Sequence, residues 1–172
     1  MPGGSILIDH YRQPRCRGEV ENATCRHEVH NRKCGDRIVL TSQPDAHGLL
    51  RIRFEGQGCM YCLASASILC STLSGKPTDE AHLLIRRFRQ WIRDGGTGNE
   101  TAVGAQETTG TEAVQDAGPE LTDGMRALGE VKAFPMRIDC ADLAWKCADE
   151  MLETSQEQRD RNVVRRGPEQ LK

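Results

Sequence analysis

The chain has 172 residues, 4% of them aromatic and 28% charged, and a formal net charge of -2. This length suits one domain with a real core, provided that not every residue packs. The charge balance argues against a nucleic-acid partner, and no apolar run approaches the roughly 18–20 residues of a membrane-spanning helix. Charge is unevenly spread: residues 1–93 hold 14 Lys+Arg against 9 Asp+Glu, a net of +5, and residues 94–172 hold 9 against 16, a net of -7. Such a division can bias docking with a protein of mixed charge. With no basic-then-apolar leader, the expectation is a cytoplasmic protein whose eight cysteines are thiols and metal ligands rather than disulfides.

Ser5 to Gln13 reads as a short helix with Ser5 as N-cap and Pro14 closing it. Thr24 to His30 is a weakly patterned strand, and Arg37 to Ser42 a second, with Ile38 and Leu40 on one face. Asp45 to Gly48 reads as a turn. Leu49 to Glu55 is the clearest strand: Leu50, Ile52 and Phe54 alternate with Arg51, Arg53 and Glu55, the period of a half-buried antiparallel sheet. Met60 to Leu73 is apolar or small nearly all round, a buried helix ended by Gly75. Thr78 caps a helix to Trp91 with Ala81, Leu84, Ile85, Phe88 and Ile92 at helical spacing. Arg86, Arg87 and Arg89 lie off that stripe, expected as a solvated face with partner docking as the alternative. Residues 94–120 are rich in Gly, Thr, Ala, Gln and acids and read as a mobile insertion. A short helix over Leu121 to Leu128 and an amphipathic helix over Ile138 to Leu152 follow, and after Thr154 a charged, frayed tail.

Three islands carry the chemistry: Cys34-Gly35-Asp36, Glu55-Gly56-Gln57-Gly58-Cys59, and Arg137-Ile138-Asp139-Cys140. Three thiolates and one carboxylate are enough for one tetrahedral metal site, and an S₃O set suits zinc or iron. Oxygen is the harder and more exchangeable donor, which suits traffic more than permanence. Cys59 stands just before one helix and Cys140 in the expected first turn of another, where orphan N–H groups and the helix dipole favour thiolate. A free cysteine is by default a small buried hydrophobe, the expectation for Cys16, Cys25, Cys70 and Cys147. Cys62, one helical turn past Cys59, is expected to pack, with a spare ligand or a sulfur relay as alternatives. Cys59-Met60-Tyr61-Cys62 is a weak signal alone, because a zinc ribbon needs a second pair and a thioredoxin-like site a βαβ context. Asp139 is expected as an N-cap or dipole partner, with a place facing the site as the alternative.

Together these islands resemble the scaffold family of iron–sulfur cluster assembly that includes IscU, SufU and the N-terminal domain of NifU. The resemblance runs through Ile8-Asp9-His10-Tyr11 with Pro14-Arg15, Cys34-Gly35-Asp36, Phe54 to Cys59 with Ala64-Ser65-Ala66-Ser67, and Phe134 to Trp145. Asp139 in place of a histidine, Ala133-Phe134-Pro135-Met136-Arg137 in place of Leu-Pro-Pro-Val-Lys, and the insertion before the third island make it most similar to the SufU branch. The resemblance implies an α+β domain over residues 1–153, with a small three-stranded antiparallel sheet, helices packed on one face, a flexible insertion at 94–120 and a charged tail at 154–172. It implies that Cys34, Asp36, Cys59 and Cys140 hold zinc, iron or an iron–sulfur cluster near the surface, and that Cys34 accepts sulfur. The implied role is a cluster assembly scaffold. The alternative is a zinc-dependent sulfurtransferase partner that takes persulfide sulfur from a SufS-type cysteine desulfurase. Implied partners are that desulfurase and downstream cluster carriers or apo-clients, with no nucleic acid and no membrane. A closed structural zinc module is disfavoured by Asp36.

Overall fold

The computed structural model describes residues 2–94 and 120–165. The proposed insertion therefore lies almost wholly outside the described residues. Helix α1 (Pro2–Arg12) leads into strands β1 (Cys25–Asn31), β2 (Asp36–Pro44) and β3 (Leu50–Gln57), then helices α2 (Met60–Leu73) and α3 (Thr78–Arg93). After the gap come α4 (Asp123–Ala127), a 3₁₀ segment (Leu128–Ala133) and the long α5 (Pro135–Arg165). The three strands form one antiparallel sheet in the order β1-β2-β3. The expected fold class is the one found.

Alternation in β3 works as the pattern requires: Leu50, Ile52 and Phe54 are buried and Arg51, Arg53 and Glu55 exposed. The apolar face meets α2 and α5, which bring Leu69, Leu73, Trp145 and Ala148 into the core. Burying this apolar surface is the main source of stability. The outer edge of β3 is covered by residues 16–18, with the Phe54 N–H donating to the Cys16 carbonyl and the Gly18 N–H to the Phe54 carbonyl. Such cover blunts an edge that would otherwise pair with another chain. Phe88 of α3 stacks on Trp145 at 4.1 Å between ring centroids, locking α3 to α5.

Several boundaries differ from the sequence reading. Helix α1 begins at Pro2, so Ser5 lies inside it rather than capping it. Pro77, not Thr78, is the N-cap of α3; the fixed proline φ starts that helix one residue early. Helix α5 starts at Pro135 and continues past Thr154 to Arg165. Proline at the first helical position loses only an N–H that would be orphaned anyway. The 3₁₀ segment has no counterpart in the sequence reading, although it buries Leu128 and Val131. Among the described residues no helix is long and apolar enough to cross a membrane.

Candidate metal centre

The β1–β2 hairpin turns tightly at Gly35, whose φ of +73° is a conformation that favours glycine. Its N–H donates to the Asn31 carbonyl at 2.9 Å. This turn presents Cys34 at the surface, and Asp36 opens β2 as a buried carboxylate, 1% exposed. Pairing of Arg37 with Gln57 brings the end of β3 beside the start of β2, so Cys59, the N-cap of α2, falls next to Asp36. Its backbone N–H donates to Asp36 Oδ1 at 3.0 Å. Gly58 keeps the approach open, since a Cβ there would stand 2.7 Å from Asp36 Oδ1.

Cys140 arrives from α5. Its Sγ lies 3.3 Å from that of Cys34, and the Cys34 thiol donates to Asp36 Oδ2 at 3.2 Å. Ligand atoms of Cys34, Asp36 and Cys140 all fall within 4.8 Å of one another. Cys59 stands just outside this tight group, its thiol donating to Asp36 Oδ2 at 3.7 Å. The donors expected from the sequence thus converge, with Asp36 at their centre. Among the described residues no ion pair reaches that carboxylate. A nearly fully buried carboxylate ringed by thiols and lacking a cationic partner is a donor set that fits a bound cation.

The electrostatics revise one expectation. Cys140 is five residues past Pro135, beyond the first turn of α5, so no orphan N–H group serves it. Burial pushes its thiol well up, with hydrogen bonds to Asp36 and Cys34 adding to the effect. A positive charge is available from Arg137, whose guanidinium hydrogen-bonds Cys140 and lies near Cys59 and Cys34, raising its own pKa. The sequence reading placed Arg137 in an island without giving it a role.

Asp139 does not cap α5; it lies 3.8 Å from both Lys33 and Arg93, tying the Cys34 turn to α3. Cys62 is fully buried in the core, its thiol pushed up by burial and then by the nearby Asp36, Cys59 and Cys34. That placement fits packing. Cys70 and Cys147 are buried as expected, and burial pushes Cys147 up to about 12. Cys16 and Cys25 are only half-buried. The arginine face is not uniformly solvated: Arg89 and Arg93 both bind the buried Asp142, Arg89 also binds Asp149, and Arg86 reaches Glu153 at 3.4 Å. Arg87 is exposed. These arginines also occupy the carboxylates of a second cluster, His82, Asp149 and Glu153, which is thereby neutralised without a metal. Beside Arg137, an open groove is lined by Tyr61, Ala133, Phe134, Pro135 and Met136, with Phe134 and Met136 largely exposed.

Fold and donor set define a small α+β protein with a thiol-rich centre suited to a cation, and the comparisons with known proteins agree. The NifU-like N-terminal domain family matches residues 5–117, and the chain belongs to that family of iron–sulfur cluster assembly scaffolds. It is 33% identical over 144 residues to the zinc-dependent sulfurtransferase SufU of Bacillus subtilis strain 168, covering 84% of each chain. It is 29% identical over 162 residues to the iron–sulfur cluster assembly scaffold protein IscU of Streptococcus pyogenes serotype M1, covering 92% of this chain and 89% of that one. A crystal structure of a SufU-type protein from Fervidobacterium islandicum AW-1 shares the fold, with a TM-score of 0.66 at 24% identity over 86% of this chain and 93% of that chain.

Proposed function

We propose that the chain binds zinc or iron through Cys34, Asp36, Cys59 and Cys140, takes up sulfur at Cys34, and serves as a scaffold on which iron–sulfur clusters are built or passed on. The observation that carries this reading is the buried Asp36 carboxylate, 1% exposed, ringed by thiols and free of ion pairs among the described residues. A bound cation would supply the charge that stabilises thiolates at neutral pH.

Cys34 is the exposed member of the set, and exposure selects the thiol that meets a sulfur donor. Its thiolate attacks the terminal sulfur of a donor persulfide. A new S–S bond forms on Cys34 as the donor's S–S bond breaks, and the donor cysteine leaves as thiolate. Asp36 Oδ2 lies 3.2 Å from the Cys34 sulfur, close enough for the two to share a bound cation. Arg137 offsets the negative charge that gathers on the sulfurs. The chemistry calls for a persulfide donor, which this reading assigns to a SufS-type cysteine desulfurase, with a cluster carrier or apo-client as recipient. The exposed apolar groove beside Arg137 supports protein docking at this end of the molecule.

A second reading, a zinc-dependent sulfurtransferase partner of the desulfurase, is favoured by the name of the Bacillus subtilis relative. One experiment separates the two: metal and sulfide analysis of anaerobically purified protein before and after incubation with a desulfurase, cysteine and ferrous iron. Iron and sulfide in equal amounts, with a visible charge-transfer band lost in Cys59→Ser and Cys140→Ser, is the scaffold outcome. Zinc with a persulfide on Cys34 and no chromophore is the sulfurtransferase outcome. Neither metal nor persulfide would sink both.

A further inference from the structure

Three of the four donors are placed by one continuous stretch of chain. Cys34 and Asp36 share a turn, and Cys59 is pinned to Asp36 by its own N–H. Cys140 belongs to α5 and needs separate registration against α2. Small apolar residues recur in both helices, with Ala64 and Ala66 of α2 and Ala141, Ala144 and Ala148 of α5 all in the core, and such side chains register a helix weakly. A slip of one residue along a helix moves its side chains by about 1.5 Å, whereas metal–ligand distances tolerate about 0.2 Å.

One polar group lies in this seam. Ser65, fully buried, donates its hydroxyl to the carbonyl of Ala141 at 2.6 Å and accepts the indole N–H of Trp145 at 2.9 Å. Among the described residues these are the side-chain hydrogen bonds that join α2 to α5. The carbonyl it grips belongs to the residue next to Cys140. Hydrogen bonds are directional where alanine contacts are not. We propose that Ser65, braced by Trp145, is the positioning residue that sets the height and rotation of Cys140 against Cys34, Asp36 and Cys59.

The proposal rests on the metal-centre reading for one of its two readouts, and the test keeps them apart. In metal-free protein, the equilibrium between the Cys34–Cys140 disulfide and glutathione, mapped by mass spectrometry, reports how closely the two sulfurs are held. Ser65→Ala is expected to lower that equilibrium constant roughly fivefold or more. Zinc retention against a competing chelator is expected to weaken roughly tenfold. Trp145→Phe, which removes the donor to Ser65 but keeps its bond to Ala141, should show the same changes at smaller size. Ile85→Val, a core truncation on α3, serves as the stability control and should leave both readouts within about twofold while lowering Tm. The proposal is overturned if Ser65→Ala keeps both readouts within about twofold of wild type, or if Ile85→Val shifts them as much at equal loss of Tm. Should wild type retain neither zinc nor ferrous iron, the metal-centre reading falls and the glutathione equilibrium alone decides the role of Ser65.

Discussion

Replacing Asp36 by alanine removes the group on which every other donor converges, so zinc retention is expected to fall by roughly tenfold or more, read by chelator competition. Gly58→Ala reaches the same carboxylate from outside, because the new Cβ would sit 2.7 Å from Asp36 Oδ1. Faster metal loss with folding preserved is expected, and unchanged retention would count against the central place of Asp36. Cys34→Ser is expected to abolish sulfur uptake with little change in Tm, since the side chain is exposed. Mass spectrometry after incubation with a desulfurase and cysteine checks this. The convergence of Cys34, Asp36 and Cys59 was legible because Cys34 and Asp36 flank a glycine turn and Cys59 stands just before a helix, whereas Cys140, inside α5, was marked by the family resemblance and not by a helix end. Arg137 and Ser65 were not legible: an arginine in a loop and a serine in an apolar run acquire meaning only when α5 lies across α2.

At the level of elements, β3 and α2 were readable because strict alternation and an unbroken apolar run admit one interpretation each. The start of α5 was not, because Phe134-Pro135 reads as a break although proline opens the helix. The sequence pattern of Arg86, Arg87 and Arg89 suggests a solvated face because the acidic partners on α5 lie far away in sequence: Arg89, together with Arg93, meets Asp142, 1% exposed, across 53 and 49 residues respectively. Asp142→Ala therefore strips hydrogen-bond acceptors from two charged side chains, and a loss of about 2 kcal/mol is expected in urea unfolding. Helix α1 carries a pH dependence. His10 pairs with Ser67 at 2.8 Å, and burial, followed by the charge of Arg15, lowers its pKa below 6.5. The neutral ring is the folded form, so the unfolded chain binds the proton more readily. Stability is expected to fall as pH drops through 6.5 toward the lower folded-state pKa, and His10→Gln should flatten that slope in Tm-against-pH profiles.

At the level of the whole molecule, deletion of residues 98–116 is expected to change Tm by no more than about 2 °C, since that stretch offers few apolar side chains to bury. A larger loss in a thermal melt would show that it packs. Because Cys140 stands 81 residues after Cys59 along the chain and is carried by α5, the centre has an order of completion. A chain still on the ribosome can form the hairpin and expose three donors, but it cannot close the centre until α5 has emerged and docked. On the proposed reading, a product lacking α5 would keep Cys34, Asp36 and Cys59 but not Cys140, and is expected to release metal more easily than the finished chain.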